Sequence, residues 1–240
     1  MHLLLHCDRI ARGNIATLFG SMPRAFDASK NAACAALTGD SPAALGATVL
    51  CVALRARGKE SESDRIHRMI ERFYGEPYEQ LVKDKILTPI GMNSTTITLS
   101  PTQFGNAVKG YDGNGVAMPD QVAGLQGAAA FRSNVTDMLK YAVWQISESD
   151  PAVKLSHQAY AVAGNYAAGL NWQMLSAPGK RLIWQTGHLD GFHSFLVVEP
   201  ELKIGLVALF NETDGKSNAT HDALINGILK TLNADAILMP

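Results

Sequence analysis

The fold is indicated most clearly by residues 184–196, WQTGHLDGFHSFL. An apolar segment stops at Thr186-Gly187, a short polar turn follows, and a second apolar segment begins near His193. Two such segments separated by a turn are typical of antiparallel strands. The pattern therefore predicts a β-hairpin whose first strand ends in Gln185, Thr186 and Gly187.

The C-terminal third continues this pattern. Turn residues occur at Pro178-Gly179 and Glu199-Pro200-Glu201, and a helix is predicted to begin at Ser217 or Asn218. The predicted strands are residues 170–175, 181–185, 193–199 and 204–210. We expect an α+β fold in which an antiparallel sheet is flanked by helices.

Two helices are predicted earlier in the chain from apolar residues at helical spacing. The first begins with cap candidates at residues 61–64, ends at Gly75, and is followed by a second helix that has Pro77 in its first turn. The apolar stripe of the first helix is Ile66, Met69, Ile70 and Phe73. Another helix is expected after a Ser133 cap, with Val135, Met138, Leu139, Ala142, Val143 and Ile146 on one side. Residues 95–99 are β-branched and strand-like.

Five segments, in order, resemble the serine β-lactamase and penicillin-binding-protein superfamily, especially the class C β-lactamases with their related D-aminopeptidases and esterases. The segments are MIERFYGEPYEQLVKDKILTPIGM (69–92), the strand-like 93–99, a stretch that resembles the family's G-x-x-S-x-x-D-M helix (127–146), the GLNW strand (168–175) and the terminal strands and helix (183–232). The resemblance implies a β-lactamase/transpeptidase-like domain over 61–240, with a helical part (61–165) and a sheet with the C-terminal helix (166–240). Residues 1–60 match nothing in that family, so the N-terminal part is incomplete or divergent.

The family's chemistry is acyl transfer through a serine ester, and its first motif is Ser-x-x-Lys. A lysine three residues after the serine lies on the same helix face and can take the hydroxyl proton. No serine in this chain has lysine at that position. The nearest imitation is Ser21 with Arg24, but a guanidinium cannot act as a base. The catalytic residues therefore stay unknown.

The second motif, Tyr-x-Asn or Ser-x-Asn, is also not found where the family has it. None of the six tyrosines has asparagine two residues later. Counting back from Gly75, the motif falls near Gly58-Lys59-Glu60. Ser29-Lys30-Asn31 matches by letters but lies about thirty residues too early for a motif this short to carry weight.

The third motif, Lys-Thr-Gly or His-x-Gly in the family, is Gln185-Thr186-Gly187 here. The resemblance implies a strand edge that binds substrate backbone by β-augmentation. Glutamine keeps a donor but removes the positive charge, which predicts about tenfold weaker carboxylate recognition. We expect these three residues to bind substrate; the alternative is a simple strand end with a turn.

Histidine clusters offer other possibilities. His188 and His193 flank Asp190, but the chain has no Gly-x-Ser-x-Gly elbow, so solvent-facing loop histidines are favoured over a triad or a metal site. His2, His6, Cys7 and Asp8 have ligand-type side chains in a terminal segment. Trp172 and Trp184 are expected in the core or cleft wall. We expect no metal and no cofactor.

Composition excludes several classes of partner. The net charge of −1 leaves no electrostatic footprint for nucleic acid, and no apolar run approaches membrane-spanning length. Cys7, Cys34 and Cys51 favour free thiols over a disulfide framework. The first residues contain no apolar run long enough for a signal peptide, so the chain as written is expected to be cytoplasmic, although the family is often periplasmic. We expect a partner that is a small molecule or a peptide.

These observations predict a β-lactamase-related serine hydrolase, acting on a β-lactam, a D-amino-acid peptide or an ester, that is truncated or impaired. The alternatives are a non-catalytic binding protein on the same scaffold and an enzyme with a relocated nucleophile. The residues do not indicate the substrate or the oligomeric state.

Overall fold

The computed structural model describes residues 62–119, 130–189, 191–213 and 215–232. The helices are α1 (Glu62–Tyr74), α2 (Tyr78–Val82), α3 (Pro101–Asn106), α4 (Val135–Ser147), α5 (Pro151–Ser156) and α6 (Gly215–Leu232), and a π-helical turn, Lys83–Leu87, follows α2. The strands are β1 (Ala161–Ala163), β2 (Tyr166–Ala168), β3 (Gln173–Ala177), β4 (Lys180–Leu189), β5 (Phe192–Glu199) and β6 (Ile204–Phe210).

The described strands form one antiparallel sheet in the order β1-β2-β3-β4-β5-β6. The hairpin predicted from residues 184–196 is confirmed as β4 and β5, which pair from Ile183↔Val198 to Leu189↔Phe192. The α+β class is likewise confirmed. Because every neighbour in the sheet is also a neighbour in sequence, local hairpins account for the whole topology.

The sheet has a core on each face, as the alternation of side chains along a strand requires. Ile183, Leu196 and Val198 join the cluster that contains Met138 and Ala142 of α4. Trp184, Phe195 and Val197 join Ile225 and Leu229 of α6 in the second cluster. The sheet is thus the middle of three layers, and the predicted packing of the C-terminal helix on one face is confirmed.

Helix α4 lies unusually close to the sheet at Gly205 of β6. A Cβ atom there would lie 2.9 Å from Ile146 Cδ1 and 3.3 Å from Ala142 Cβ. Contacts under 3.0 Å force a shift of the neighbouring atoms, so glycine is what permits this approach.

The predicted cap of α4 is wrong by one residue. The cap is Asn134, whose side chain accepts a hydrogen bond from Asp137 N at 2.9 Å. Ser133 Oγ instead lies 2.7 Å from Thr95 Oγ1, next to a bridge between Thr96 and Arg132. Residues 95–99 form no more than this bridge, so the predicted strand there is also wrong.

The predicted apolar stripes are only partly buried. In α1, Ile70 is buried but Met69 and Phe73 are 60% and 78% exposed. In α4, Met138 and Ala142 are buried, whereas Val135, Leu139 and Val143 are exposed. Sequence spacing places these residues on a common side, but the sheet covers only a narrow strip of it.

Two boundaries also differ. The strand predicted at 170–175 begins at Gln173, because Gly169 to Trp172 form a tight turn in which Asn171 has a φ of 62°. Pro77 precedes α2 as its N-cap residue, and Tyr78, Leu81 and Val82 of that helix are buried, whereas Ile86 of the π-helical turn is only partly buried. Residues 111–115 form a turn in which Asp112 Oδ1 accepts from Asn114 N and Val116 N.

Candidate functional site

The predicted motif lies in the second half of β4, which continues for two residues past Gly187 to Leu189, so the predicted strand end at Gly187 is wrong. Strand β3 pairs with β4 only as far as Gln173↔Trp184, while β5 continues alongside β4 to Leu189. In the described part of the chain, residues 185–189 therefore have a strand on one side only. Among the described residues, this leaves an open strand edge at residues 185–189.

The side chain of Gln185 bridges this edge to the turn before β3. Its Nε2 donates to the carbonyl of Asn171 at 2.9 Å, and its Oε1 accepts from Thr186 N at 3.1 Å. Gln185 is half-buried. Its donor is thus engaged by the protein itself, which the sequence did not indicate.

The motif residues divide between the two sheet faces. By alternation, Gln185 and Gly187 share the face that carries Ile183 and α4, and Thr186 shares the face of Trp184 and α6. Ser194 lies opposite Gly187, is buried, and directs its Oγ to the Gly187 carbonyl at 3.5 Å. This serine is enclosed within the sheet.

A loop crosses the hairpin turn beside the motif. Its anchor is Tyr111, whose N donates to Asn211 O at 2.9 Å and whose carbonyl accepts from Thr213 N at 3.1 Å. Gly110 and Gly191 meet there: a Cβ on Gly191 would lie 2.7 Å from Gly110 Cα. The turn that follows the motif is held by backbone packing.

His188 and His193 lie on strands β4 and β5 and not in a loop, and His193 is buried while His188 is partly exposed, so the predicted solvent-facing loop position is wrong for His193. His193 is 1% exposed and stacks on His188 at a centroid distance of 3.7 Å. Its Nδ1 lies 3.1 Å from Nδ1 of His221 in α6, and His221 stacks on Phe210. Burial, with the neighbouring His188 and His221, lowers the pKa of His193 to about 3. Antiparallel pairing places His188 opposite His193, and α6 supplies the third ring.

Several candidates fall outside the described residues: Asp190, Ser21, Arg24, Ser29-Lys30-Asn31, Gly58-Lys59-Glu60, His2, His6, Cys7, Asp8, Cys34 and Cys51. Within the described ranges, no group of three or more His, Cys, Asp or Glu side chains could hold a metal ion. In the same ranges no helix has the length and apolar character needed to cross a membrane. Trp172 and Trp184 are both buried, as predicted.

The motif-like segments 69–92 and 127–146 meet in a polar cluster with a structural role. Asp137 Oδ2 accepts from Ser94 N at 2.8 Å and Thr95 Oγ1 at 3.0 Å. Lys140 Nζ lies 3.0 Å from Asp137 Oδ1 and donates to the Gly91 carbonyl. These contacts hold the segment around Gly91, Ser94 and Thr95 against α4.

A second polar cluster joins the end of α4 to the sheet. Arg181 donates to both Glu148 carboxylate oxygens, at 3.1 and 3.0 Å, and through Nε to Glu201. His157 Nδ1 lies 2.8 Å from Glu148. Burial acts to raise the pKa of Glu148, but the Arg181 and His157 hydrogen bonds hold that pKa below its usual value. Ser156 precedes His157 but accepts from Trp172 Nε1 and donates to Val153 O, so its hydroxyl is occupied.

The family model for Beta-lactamase matches residues 64–230. The chain belongs to the Beta-lactamase family. Among curated relatives, the beta-lactamase of Escherichia coli (strain K12) is 23% identical over 199 residues, which are 67% of this chain and 51% of the relative. The chain spans between 29% and 51% of the length of the curated relatives it matches.

Solved structures support the same fold. A class C beta-lactamase in complex with cefoxitin matches with a TM-score of 0.59 and 18% identity, over 67% of this chain and 56% of the other. An octameric penicillin-binding protein homologue from Pyrococcus abyssi matches with a TM-score of 0.55 and 23% identity, over 66% and 39%. At these identities the likeness shows the fold alone.

Sequence reasoning missed two residues of this region, Asn171 and His221. Asn171 contributes a backbone carbonyl, which has no signature in the sequence. His221 is separated from His193 by 28 residues and carried on another element. An asparagine before Trp172 is a weak turn signal, because asparagine tolerates positive φ.

Proposed function

We propose that this chain is an impaired β-lactamase-related serine hydrolase: it keeps a ligand site at Gln185, Thr186 and Gly187 and binds acyl ligands, but it does not carry out acyl transfer. The observation that carries the proposal is the open edge at residues 185–189. Gln185 begins this edge, at the position where the family resemblance implies a cationic side chain. Family membership supports a hydrolase-type site. The ligand is a small molecule or peptide with an amide or ester group.

The serines support the second half of the proposal. Covalent catalysis needs a serine hydroxyl within hydrogen-bond reach of a base. No Ser-x-x-Lys or Tyr-x-Asn occurs in the 240 residues. Ser194, which lies opposite Gly187, is buried and has its hydroxyl directed to a backbone carbonyl.

The test uses the purified chain with nitrocefin, p-nitrophenyl acetate and a fluorescent penicillin. We expect hydrolysis at the rate of the heat-denatured chain and no covalent label in the mass spectrum, with an active class C β-lactamase as the positive control. Stoichiometric acylation followed by turnover would contradict the proposal, and the labelled peptide would identify a relocated nucleophile.

A protein whose function on this scaffold is ligand binding alone is the second candidate. The engagement of Gln185 by Asn171 and Thr186 favours it, because both halves of the neutral carboxamide bind the protein itself and neither is directed at a reacting group. Reversible binding of an amide ligand with no trace of acylation would agree with this candidate. Esterase activity would argue against it.

A further inference from the structure

The open edge at residues 185–189 already has one of its backbone donors occupied. Thr186 N–H donates to Gln185 Oε1, a side-chain atom of the preceding residue. Because the Thr186 N–H bonds to this side chain and not to β5, we infer that it points to the side of β4 where the described residues form no neighbouring strand. It is the donor that an added strand or an extended ligand would use.

The other half of the Gln185 carboxamide, the Nε2 amine, is also occupied, by the turn before β3. Nε2 donates to the Asn171 carbonyl, in the turn where Asn171 has a φ of 62°. A donor at Thr186 N and an acceptor at Asn171 O thus face one amide group. Both partners are backbone atoms, so their positions depend on the fold and not on a rotamer.

Only a group that accepts and donates at once satisfies this pair. A lysine ammonium has three donors and no acceptor, and a carboxylate has acceptors only. A carboxylate beside the Asn171 carbonyl would leave that oxygen facing negative charge. A carboxamide or a peptide group supplies both functions.

We propose that Gln185 is an internal substitute for a ligand amide: its carboxamide occupies the position between Thr186 N–H and Asn171 O, and ligands enter by displacing it. Resting on the proposed function, this assigns the ligand class as neutral peptides or carboxamides in an extended conformation. Free carboxylates are disfavoured. The backbone pair thereby determines the ligand class, and Gln185 lowers the affinity by competing for it.

The first measurement is hydrogen exchange at the Thr186 amide in the absence of ligand. Gln185→Met keeps the length of the side chain and removes both hydrogen-bonding groups. We expect exchange at Thr186 about tenfold faster in this variant, in line with the loss of one hydrogen bond. The matched control is Gln173→Met, since Gln173 lies opposite Trp184 in β3 and bonds to Tyr166. It should leave Thr186 exchange unchanged.

The second measurement is an NMR titration with N-acetyl-alanyl-alaninamide, as the L,L and D,D stereoisomers, and with the corresponding free acids. We expect Gln185→Met to bind a neutral amide about threefold to tenfold tighter than the original chain, with the Thr186 amide signal shifting on binding. The free acids should bind more weakly than the amides. The Gln173→Met control should match the original chain.

Equal Thr186 exchange in the original chain and Gln185→Met would overturn the proposal. So would faster exchange without tighter amide binding, because the edge would then be capped but would not be a ligand site. Stronger binding of free acids than of amides would contradict the ligand class. These readouts involve no covalent step, so acylation of a serine would overturn the proposed function and leave this inference standing.

Discussion

His193 of β5 and His221 of α6 place their Nδ1 atoms 3.1 Å apart, between the sheet and the helix. One of the two nitrogens must carry the hydrogen. His193 Nε2 has no hydrogen-bond partner within the described part of the chain. At His193 Nε2, a buried nitrogen without a hydrogen costs less free energy than a buried N–H without an acceptor. We therefore assign the hydrogen of His193 to Nδ1, which donates to His221 Nδ1.

This pair predicts a loss of stability in acid. The pKa of His193 falls from 6.5 to about 3 on folding, because of burial first and then His188 and His221. Between pH 6.5 and about 3, His193 is therefore protonated in the unfolded chain but neutral in the folded chain. The free energy of unfolding decreases as pH falls through this range. We expect His193 to contribute about 2 kcal/mol of loss between pH 7.5 and 4.5.

Urea unfolding of the original chain and of His193→Phe, at pH 7.5 and 4.5, checks this expectation. Phenylalanine keeps a ring against Phe195 and Phe210 but does not titrate. The variant should lose less stability on acidification, because the ring at position 193 no longer takes up a proton on unfolding. Parallel pH profiles would show that His193 is not the group responsible.

Asp137→Ala is expected to destabilise the chain by about 3 kcal/mol, because it leaves Ser94 N, Thr95 Oγ1 and Lys140 without their shared carboxylate. Asp112→Ala is the control and should cost about 1 kcal/mol, since among the described residues the Asp112 side chain bonds only to its own turn. Equal losses in urea unfolding would show that the buried position of Asp137 adds nothing.

Gly191→Ala and Gly179→Ala separate backbone conformation from crowding. Their φ angles are nearly equal, 79° and 76°, but a Cβ at Gly191 meets backbone atoms at 2.7 Å, whereas nothing lies within 4 Å of one at Gly179. We expect about 1 kcal/mol of destabilisation at Gly179 and at least about 3 kcal/mol at Gly191. A similar midpoint for both in thermal unfolding would contradict the contact with Gly110.

Arg181→Lys is expected to cost about 1 kcal/mol, because an ammonium cannot contact both oxygens of Glu148 and also Glu201. Partial exposure of Arg181 limits the loss. The same substitution at Arg72, an exposed residue in the last turn of α1, should be close to neutral. An equal response at the two positions would mean that the fork geometry of Arg181 contributes no stability.

The β4 and β5 hairpin could be predicted from sequence because its information is local. Alternating apolar residues and a turn between Leu189 and Phe192 specify two neighbouring strands, and hairpin pairing then sets the register. Helices α1 and α4 were found for the same reason. Their exposed faces at Phe73 and Val143 could not be predicted, because burial depends on which surface a partner covers.

The candidate site divides in the same way. By itself the sequence determined the family-like order of elements, the position of Gln185-Thr186-Gly187 in the first strand of the hairpin, and the loss of a cation there. Only the tertiary structure decided that, among the described residues, the β4 edge has no neighbouring strand beyond Trp184, that Asn171 and Thr186 hold the Gln185 carboxamide between them, and that His193 is buried against His221. Each of these depends on backbone groups or on residues far apart in the chain, and a hydrogen bond between such groups exists only once the chain has folded.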